Sequence, residues 1–289
     1  MWAVKLLVFL AASYAAILLL VYVAQTSLLF PTGLARAEAS LPERAERLDL
    51  VTEDGERLRG VRIAPSAGSA GREPVLLCFG GNAWNAEDMA AYVHQLFPDH
   101  EVVAFHYRGY RPSTGRPSAA ALLADAPRLY DFVVGRSEPR KVVAVGFSVG
   151  TGVAAHLASR RRFNGVVLVT PFDSLEKLAR EHYRWAPVGL LLRHRMSPIN
   201  DLRGSTTPVA LIAAEHDRIV PPRRTAALRA GTRTLVLDRT IAGVGHNDIY
   251  ANPAFREAVA QAVALMTARS DGDDAASASE VRAGNAAQR

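Results

Sequence analysis

The first apolar pattern in the chain has no period. From Leu6 to Ala24, 19 consecutive residues carry no charge. A helix of that length spans roughly 28 Å at ~1.5 Å per residue, close to the hydrocarbon thickness of a bilayer. After residue 46 short runs rich in Val, Leu and Ile recur at 48–52, 59–63, 75–79, 102–107, 142–147, 166–170, 208–213 and 234–238. Their length and β-branched content predict strands. Segments of helical length, 85–97, 117–134, 149–160, 173–183, 222–230 and 253–268, stand between the later runs and after the last. Asp54-Gly55 joins the first two runs as a hairpin turn would. Strands alternating with helices predict βαβ units, hence an α/β fold with a mostly parallel central sheet covered by helices on both faces.

This divides the chain into an N-terminal transmembrane anchor (1–24), a linker holding Pro31, Gly33 and Pro42 (25–46), one α/β domain (47–268) and a tail (269–289). The tail is rich in Asp, Ser, Gly and Ala and reads as disordered. The apolar run exceeds the ~7–15 residues of a signal-peptide core. Tyr22 also stands where a cut after Ala24 would want a small residue. An uncleaved, single-pass anchor is therefore expected, with the side occupied by the domain left open, because Lys5 at one end roughly balances Arg36 and Arg44 beyond the other. The net charge of +6 adds little, since Lys occurs only at 5, 141 and 177 and the arginines are scattered. No nucleic-acid partner is expected. Cys78 is the sole cysteine, which excludes an internal disulfide and a cysteine zinc site.

One strand leads straight into chemistry. Residues 142–147 run into Gly146-Phe-Ser148-Val-Gly150 and then a helix. A serine at the tip of so sharp a strand–helix turn tolerates no side chains two residues to either side. It also sits at a helix N-terminus, where free amides favour negative charge. The overlapping pattern Gly146, Gly150, Gly152 resembles a dinucleotide loop, but such a loop follows the first strand of its sheet, and no Tyr precedes Lys141 or Lys177 by four residues.

A serine nucleophile needs a base, and the base an acid to fix its tautomer. His156 lies on the same helix as Ser148, His216 adjoins the candidate acid, and His182 and His194 fall in a segment that reads as a lid, about 173–207. His246, in Gly243-Val-Gly-His-Asn-Asp248 after the last strand, is the expected base, with Asp248 steadying its loop. Asp217 ends a strand at the carboxyl edge and is the expected acid. Asp173, one strand earlier, is the alternative, and its non-catalytic role would be a helix N-cap.

Five segments together resemble the Bem46-like branch of the α/β-hydrolase superfamily, which includes membrane-anchored serine hydrolases. They are Phe79-Gly-Gly-Asn-Ala-Trp-Asn85, Tyr107 to Ser118, the Ser148 elbow, Asp217-Arg-Ile-Val-Pro-Pro222 and Gly245-His-Asn-Asp248. The family's first loop usually reads His-Gly-Asn-Ala-Gly-Asn, so Gly80 and Trp84 depart from it, as Arg111 does from a usual Gly. The resemblance implies an α/β-hydrolase fold and an oxyanion hole made by the backbone amides of Asn82 and Val149. Trp84 would narrow the acyl pocket.

The expected function is hydrolysis of an acyl ester, thioester or amide through an acyl-enzyme formed on Ser148. An inactive binding scaffold and an acyltransferase using the same residues are the competing readings. No cofactor or metal is expected, because no phosphate-binding loop or ligand cluster occurs. A small-molecule or lipid-like acyl substrate is expected, and the apolar lid residues Trp185, Val188, Leu190, Leu191, Leu192 and Met196 suggest a lipophilic one. With Trp84, the residues Trp185 and Leu191 are the pocket candidates, and Arg193 and Arg195 would face anionic headgroups.

Overall fold

The structure is a computed structural model and describes residues 1–36, 40–66 and 73–268. The expected disordered tail and part of the linker lie outside the described residues. Eight strands form one sheet: β1 (Ala45–Val51), β2 (Arg57–Ile63), β3 (Val75–Phe79), β4 (Val102–Phe105), β5 (Val142–Phe147), β6 (Gly165–Val169), β7 (Val209–Ala214) and β8 (Leu235–Ile241). Their spatial order is β1-β2-β4-β3-β5-β6-β7-β8. β1 and β2 are an antiparallel hairpin closed at Gly55 (φ 84°), β2 pairs antiparallel with β4, and every other pairing is parallel. Crossover helices are what force the parallel pairings, since two parallel strands cannot be joined by a tight turn.

The alternation within each central strand assigns its residues to two cores. Leu77, Phe79 and Ala144 pack beneath α3 (Ala119–Ser137) and α4 (Val149–Ala158). Leu76, Cys78, Val143 and Val145 pack on the other face, against α2 (Ala86–Leu96) and a helix over 253–268 that presents Phe255, Val259, Val263 and Met266. The chain after β3 therefore turns to one face, into α2, while the chain after β5 turns to the other, into α4. β3 and β5 are neighbours, so their diverging ends open a crevice at the carboxyl edge, where open α/β sheets bind ligands.

The remaining elements are α1 (Trp2–Leu29), α5 (Leu175–His182), α6 (Val188–Leu191), α7 (Pro198–Leu202) and α8 (Pro222–Gly231). α1 is a candidate membrane span, with an 18-residue window of mean hydropathy 2.6 and none of that window buried. It does not stop where the apolar run stops. The helix continues through Gln25 to Leu29, and Gln25 and Phe30 are buried against the segment holding α5 and α6. The expected linker thus begins as structured chain.

Candidate active site

Ser148 occupies the turn between β5 and α4 with φ 50° and ψ −116°, a conformation few non-glycine residues adopt. Its amide donates to the carbonyl of Val169 (2.9 Å), which ties the turn to β6. The flanking glycines have a steric task. A Cβ on Gly146 would stand 2.6 Å from the Gly150 carbonyl oxygen, and one on Gly150 would stand 2.7 Å from that of Gly80. The β3 end can therefore approach the turn only because Gly150 lacks a side chain, and the turn can close on the start of α4 only because Gly146 does.

Three side chains from three loops meet at this point. His246 Nε2 lies 2.9 Å from Ser148 Oγ, and His246 Nδ1 lies 2.7 Å from Asp217 Oδ2. Asp217 and His246 are buried, and Ser148 is half-buried. The second oxygen of Asp217 accepts from the amides of Ile219 (2.9 Å) and Val220 (2.7 Å), so the carboxylate is held on both sides. Gly245 donates to Asp248 Oδ2 (3.3 Å) at the base of the His246 loop.

The other histidines have other partners, although His182 stands on the wall of the same site. His156 pairs with Asp201 (3.1 Å), His216 is exposed beside Glu215, and His182 contacts the Ile219 carbonyl (2.9 Å). Asp173 is fully buried away from His246 and bonds Arg224 (3.3 Å and 3.4 Å) and Lys177 (3.4 Å). It is not the expected helix cap. Ser174 caps α5 by accepting from the Lys177 amide, leaving the Asp173 carboxylate to join α5 to α8 through Arg224, which also meets Glu181.

The loop after β3 brings Asn82 beside Ser148, and a Cβ added at Gly81 would stand 3.6 Å from that of Ser148. Among the described residues, the amides of Asn82 and Val149 have no intramolecular backbone acceptor. For Val149 this follows from its place in the first turn of α4. Two hydroxyls position the loop from behind: Tyr107 donates to the Gly80 carbonyl (2.9 Å) and Tyr110 to the Asn82 carbonyl (2.6 Å). Both tyrosines belong to the quoted Tyr107–Ser118 segment, but their role needs the folded geometry to be seen. Burial pushes both phenols upward from their ordinary range, so they remain donors at neutral pH.

A pocket of about 630 Å³ opens over Ser148, walled by Trp84, Phe172, Leu175, Leu178 and Tyr250. Trp84 is wedged among Tyr92, Phe147 and Tyr250, with ring centroids 5.1–5.6 Å apart. Trp185 and Leu191 do not line it. Leu191 faces α1, and Trp185 stands half-exposed against Tyr14 and Tyr183, because the end of α1 competes for that side of the lid. Both lid arginines are exposed: Arg193 lies over the Tyr22 ring (5.0 Å) and Arg195 pairs with Glu176. A larger open cleft of about 1390 Å³ lies at the opposite edge of the sheet, near Arg160, Arg161 and Arg162. It contains neither Ser148 nor His246. Among the described residues no group of three or more His, Cys, Asp or Glu side chains is placed to hold a metal ion.

Residues 73–189 match the family model of the alpha/beta hydrolase fold. A Mycobacterium tuberculosis protein described as uncharacterized is 35% identical over 202 residues, 68% of this chain and 70% of its own length. The lysophosphatidylserine lipase ABHD12 of Danio rerio is 30% identical over 169 residues, 51% of this chain but only 44% of that protein. Among solved structures, an esterase of Pyrococcus furiosus superposes with a TM-score of 0.65 at 15% identity, covering 80% of this chain and 96% of that one. An alpha-beta hydrolase of Vibrio vulnificus gives 0.64 at 21% identity, covering 77% and 81%. The chain has the alpha/beta hydrolase fold.

Proposed function

We propose that this protein is a membrane-anchored serine hydrolase that cleaves carboxylic esters of lipophilic acyl chains. The observation that carries the reading is the unbroken line of contacts Asp217–His246–Ser148, at 2.7 Å and 2.9 Å, at the mouth of an apolar pocket. Ser148 Oγ attacks the ester carbonyl carbon while His246 Nε2 takes its proton. Asp217 accepts from His246 Nδ1, which keeps Nε2 unprotonated beforehand and stabilises the imidazolium afterwards.

The negative charge that develops on the carbonyl oxygen is received by the amides of Asn82 and Val149, the latter backed by the α4 dipole. Collapse breaks the carbon–oxygen bond to the alcohol, which leaves with the proton from His246. Water, deprotonated by the same imidazole, then attacks the acyl-serine. The acid is released and the Ser148 hydroxyl restored.

Two further observations support the lipid and membrane parts of the reading. The pocket walls are mainly aromatic and aliphatic, with His182, Arg218 and Asn247 among them, and one relative is named a lysophosphatidylserine lipase. The α1 helix is packed into the folded domain at its C-terminal end, as a retained anchor would be and a discarded leader would not. The test is a p-nitrophenyl ester series from acetate to laurate on the full chain in nanodiscs. Each added methylene that is buried contributes up to about 0.8 kcal/mol, so kcat/KM should rise severalfold per carbon until the pocket fills. Efficiency falling steadily beyond acetate contradicts a lipophilic substrate, and no hydrolysis of any ester contradicts the activity itself.

A further inference from the structure

We infer that the acyl chain of the substrate lies between the anchor helix and the lid, so that α1 is a wall of the binding site as well as a tether. This rests on the reading of Ser148 as the nucleophile. Along α1, Tyr14, Leu18, Val21, Gln25 and Leu29 recur at every third or fourth residue and so share one face. Leu18, Val21 and Leu29 are half-buried and Gln25 is buried, while Leu19, Leu20 and Val23 on other faces are more than half exposed. The helix therefore has an inner side, although its mean composition is apolar all round.

That side is fastened to the lid by polar contacts that an apolar helix needs for no other purpose. Gln25 Nε2 donates to the carbonyls of Tyr22 (2.9 Å) and Leu191 (3.2 Å), and its Oε1 accepts from the Arg193 amide (2.8 Å). At the next residue Thr26 meets His194 (2.9 Å), and one turn further on Phe30 sets its ring edge-on against the same imidazole. Nearer the N-terminus Tyr14 donates to the Trp185 carbonyl (2.7 Å). A polar side chain buried at an apolar contact is costly unless its donors and acceptor are met. For Gln25 they are met by the helix's own Tyr22 carbonyl and by the lid backbone at Leu191 and Arg193, which fixes lid and helix in one register.

Between these fastenings the two surfaces do not close. Leu18, Val21 and Leu28 of the helix and Val188, Leu191 and Leu192 of the lid enclose an apolar cavity of about 110 Å³. The cavity and the pocket over Ser148 share Leu29, Ala179 and Tyr183 as walls, so the two adjoin and a chain need pass only these side chains to reach from one to the other. The occupant that suits it is an unbranched hydrocarbon chain whose ester carbonyl sits at Ser148. Its lining carries no charged group. Its other flank is the exposed apolar length of α1, with Leu190 of the lid 86% exposed beside it. A single-chain lipid would thus pass from the bilayer along the helix to Ser148 without bringing its methylenes into water.

The experiment uses the full chain in nanodiscs and a dodecyl fluorophosphonate carrying a diazirine at the chain end. After reaction the probe is photolysed and both attachment points are mapped by mass spectrometry. The expected result is phosphonylation of Ser148 and a crosslink within 18–29 or 186–192. Attachment at Ser148 with the crosslink confined to other segments overturns the inference and leaves the hydrolase reading standing. Absence of attachment at Ser148 overturns both.

A variant gives a second measure. Val21→Trp fills the cavity from the helix side, and the ratio of kcat/KM for decanoate to that for acetate should fall about tenfold or more, the worth of roughly two buried methylenes. A ratio within about twofold of the parent, whether or not overall activity changes, contradicts the inference.

Discussion

Exchanging each of two buried aspartates for asparagine should separate catalysis from stability. In Asp217→Asn the amide oxygen can keep the two backbone donors, Ile219 and Val220, that Asp217 Oδ1 now accepts. The amide nitrogen then replaces the oxygen that lies 2.7 Å from His246 Nδ1. A donor facing Nδ1 favours the other imidazole tautomer, with the proton on Nε2 towards Ser148. That nitrogen can no longer accept the serine proton. The loss in kcat should be on the order of 10⁴, with KM and folding little changed. Asp173→Asn should do the reverse. Its carboxylate is fully buried against Arg224 and Lys177, and removing its charge leaves Arg224 partnered only by Glu181. Breaking a fully buried pair costs ~3–5 kcal/mol. The retained Glu181 contact and the near-isosteric side chain place this one lower, at about 2–3 kcal/mol, or a drop in Tm of roughly 5–10 °C. The assay is ester hydrolysis beside thermal unfolding, both on the same nanodisc preparation. A larger kcat loss in Asp173→Asn than in Asp217→Asn would falsify the assignment of the acid.

Three further perturbations probe separate parts of the account. Tyr110→Phe removes the hydroxyl that holds the Asn82 carbonyl at 2.6 Å, so kcat should fall about tenfold at nearly constant KM; an unchanged kcat means the loop needs no such support. Gly150→Ala drives a Cβ against the Phe79 and Gly80 carbonyls, and the variant should lose both folding cooperativity and activity; a fully active variant contradicts the close approach of β3 to the turn. His106 is buried, and burial lowers its pKa to about 4 in the fold, against about 6.5 in the unfolded chain. Its stabilising effect is therefore complete above pH ~6.5 and is lost as pH falls towards ~4, by on the order of 3 kcal/mol. Denaturant melts across that window should flatten in His106→Phe, and an equally steep profile would assign the acid sensitivity to other groups.

The eight strands were legible because each is a short β-branched run bounded by turn residues, and only their ends differ from the expected limits. β8, for instance, runs on to Ile241 because it is paired with β7 along its whole length. The region between β6 and β7 was not legible in the same way. Asp173 and Ser174 are equally good cap residues by type, and only the pull of Arg224 decides which of them turns inward. Gln25 and Thr26 looked like the end of an apolar run because they are polar. In the fold they continue the helix, since the lid supplies their partners, its backbone for Gln25 and the His194 side chain for Thr26. Trp185 and Leu191 were read as walls of the pocket over Ser148 because a lone sequence does not reveal that α1 returns to the lid; Trp185 packs on Tyr14, and Leu191 walls the cavity between lid and helix instead. Of the site, Ser148, Asp217 and His246 stood out by loop position and chain order. The supporting hydroxyls of Tyr107 and Tyr110 did not, because a buried tyrosine gives no local sign of the carbonyl it will meet.

The central claim, that Ser148 is a nucleophile activated by His246 and Asp217, is tested most directly by labelling with a fluorophosphonate. Site mapping by mass spectrometry on the full chain in membranes should find one modified serine, Ser148. The label should be absent in Ser148→Ala and slowed on the order of 10³-fold or more in His246→Ala, since both remove members of one proton-transfer unit. Modification at a different serine, or undiminished ester hydrolysis by Ser148→Ala, would contradict the account.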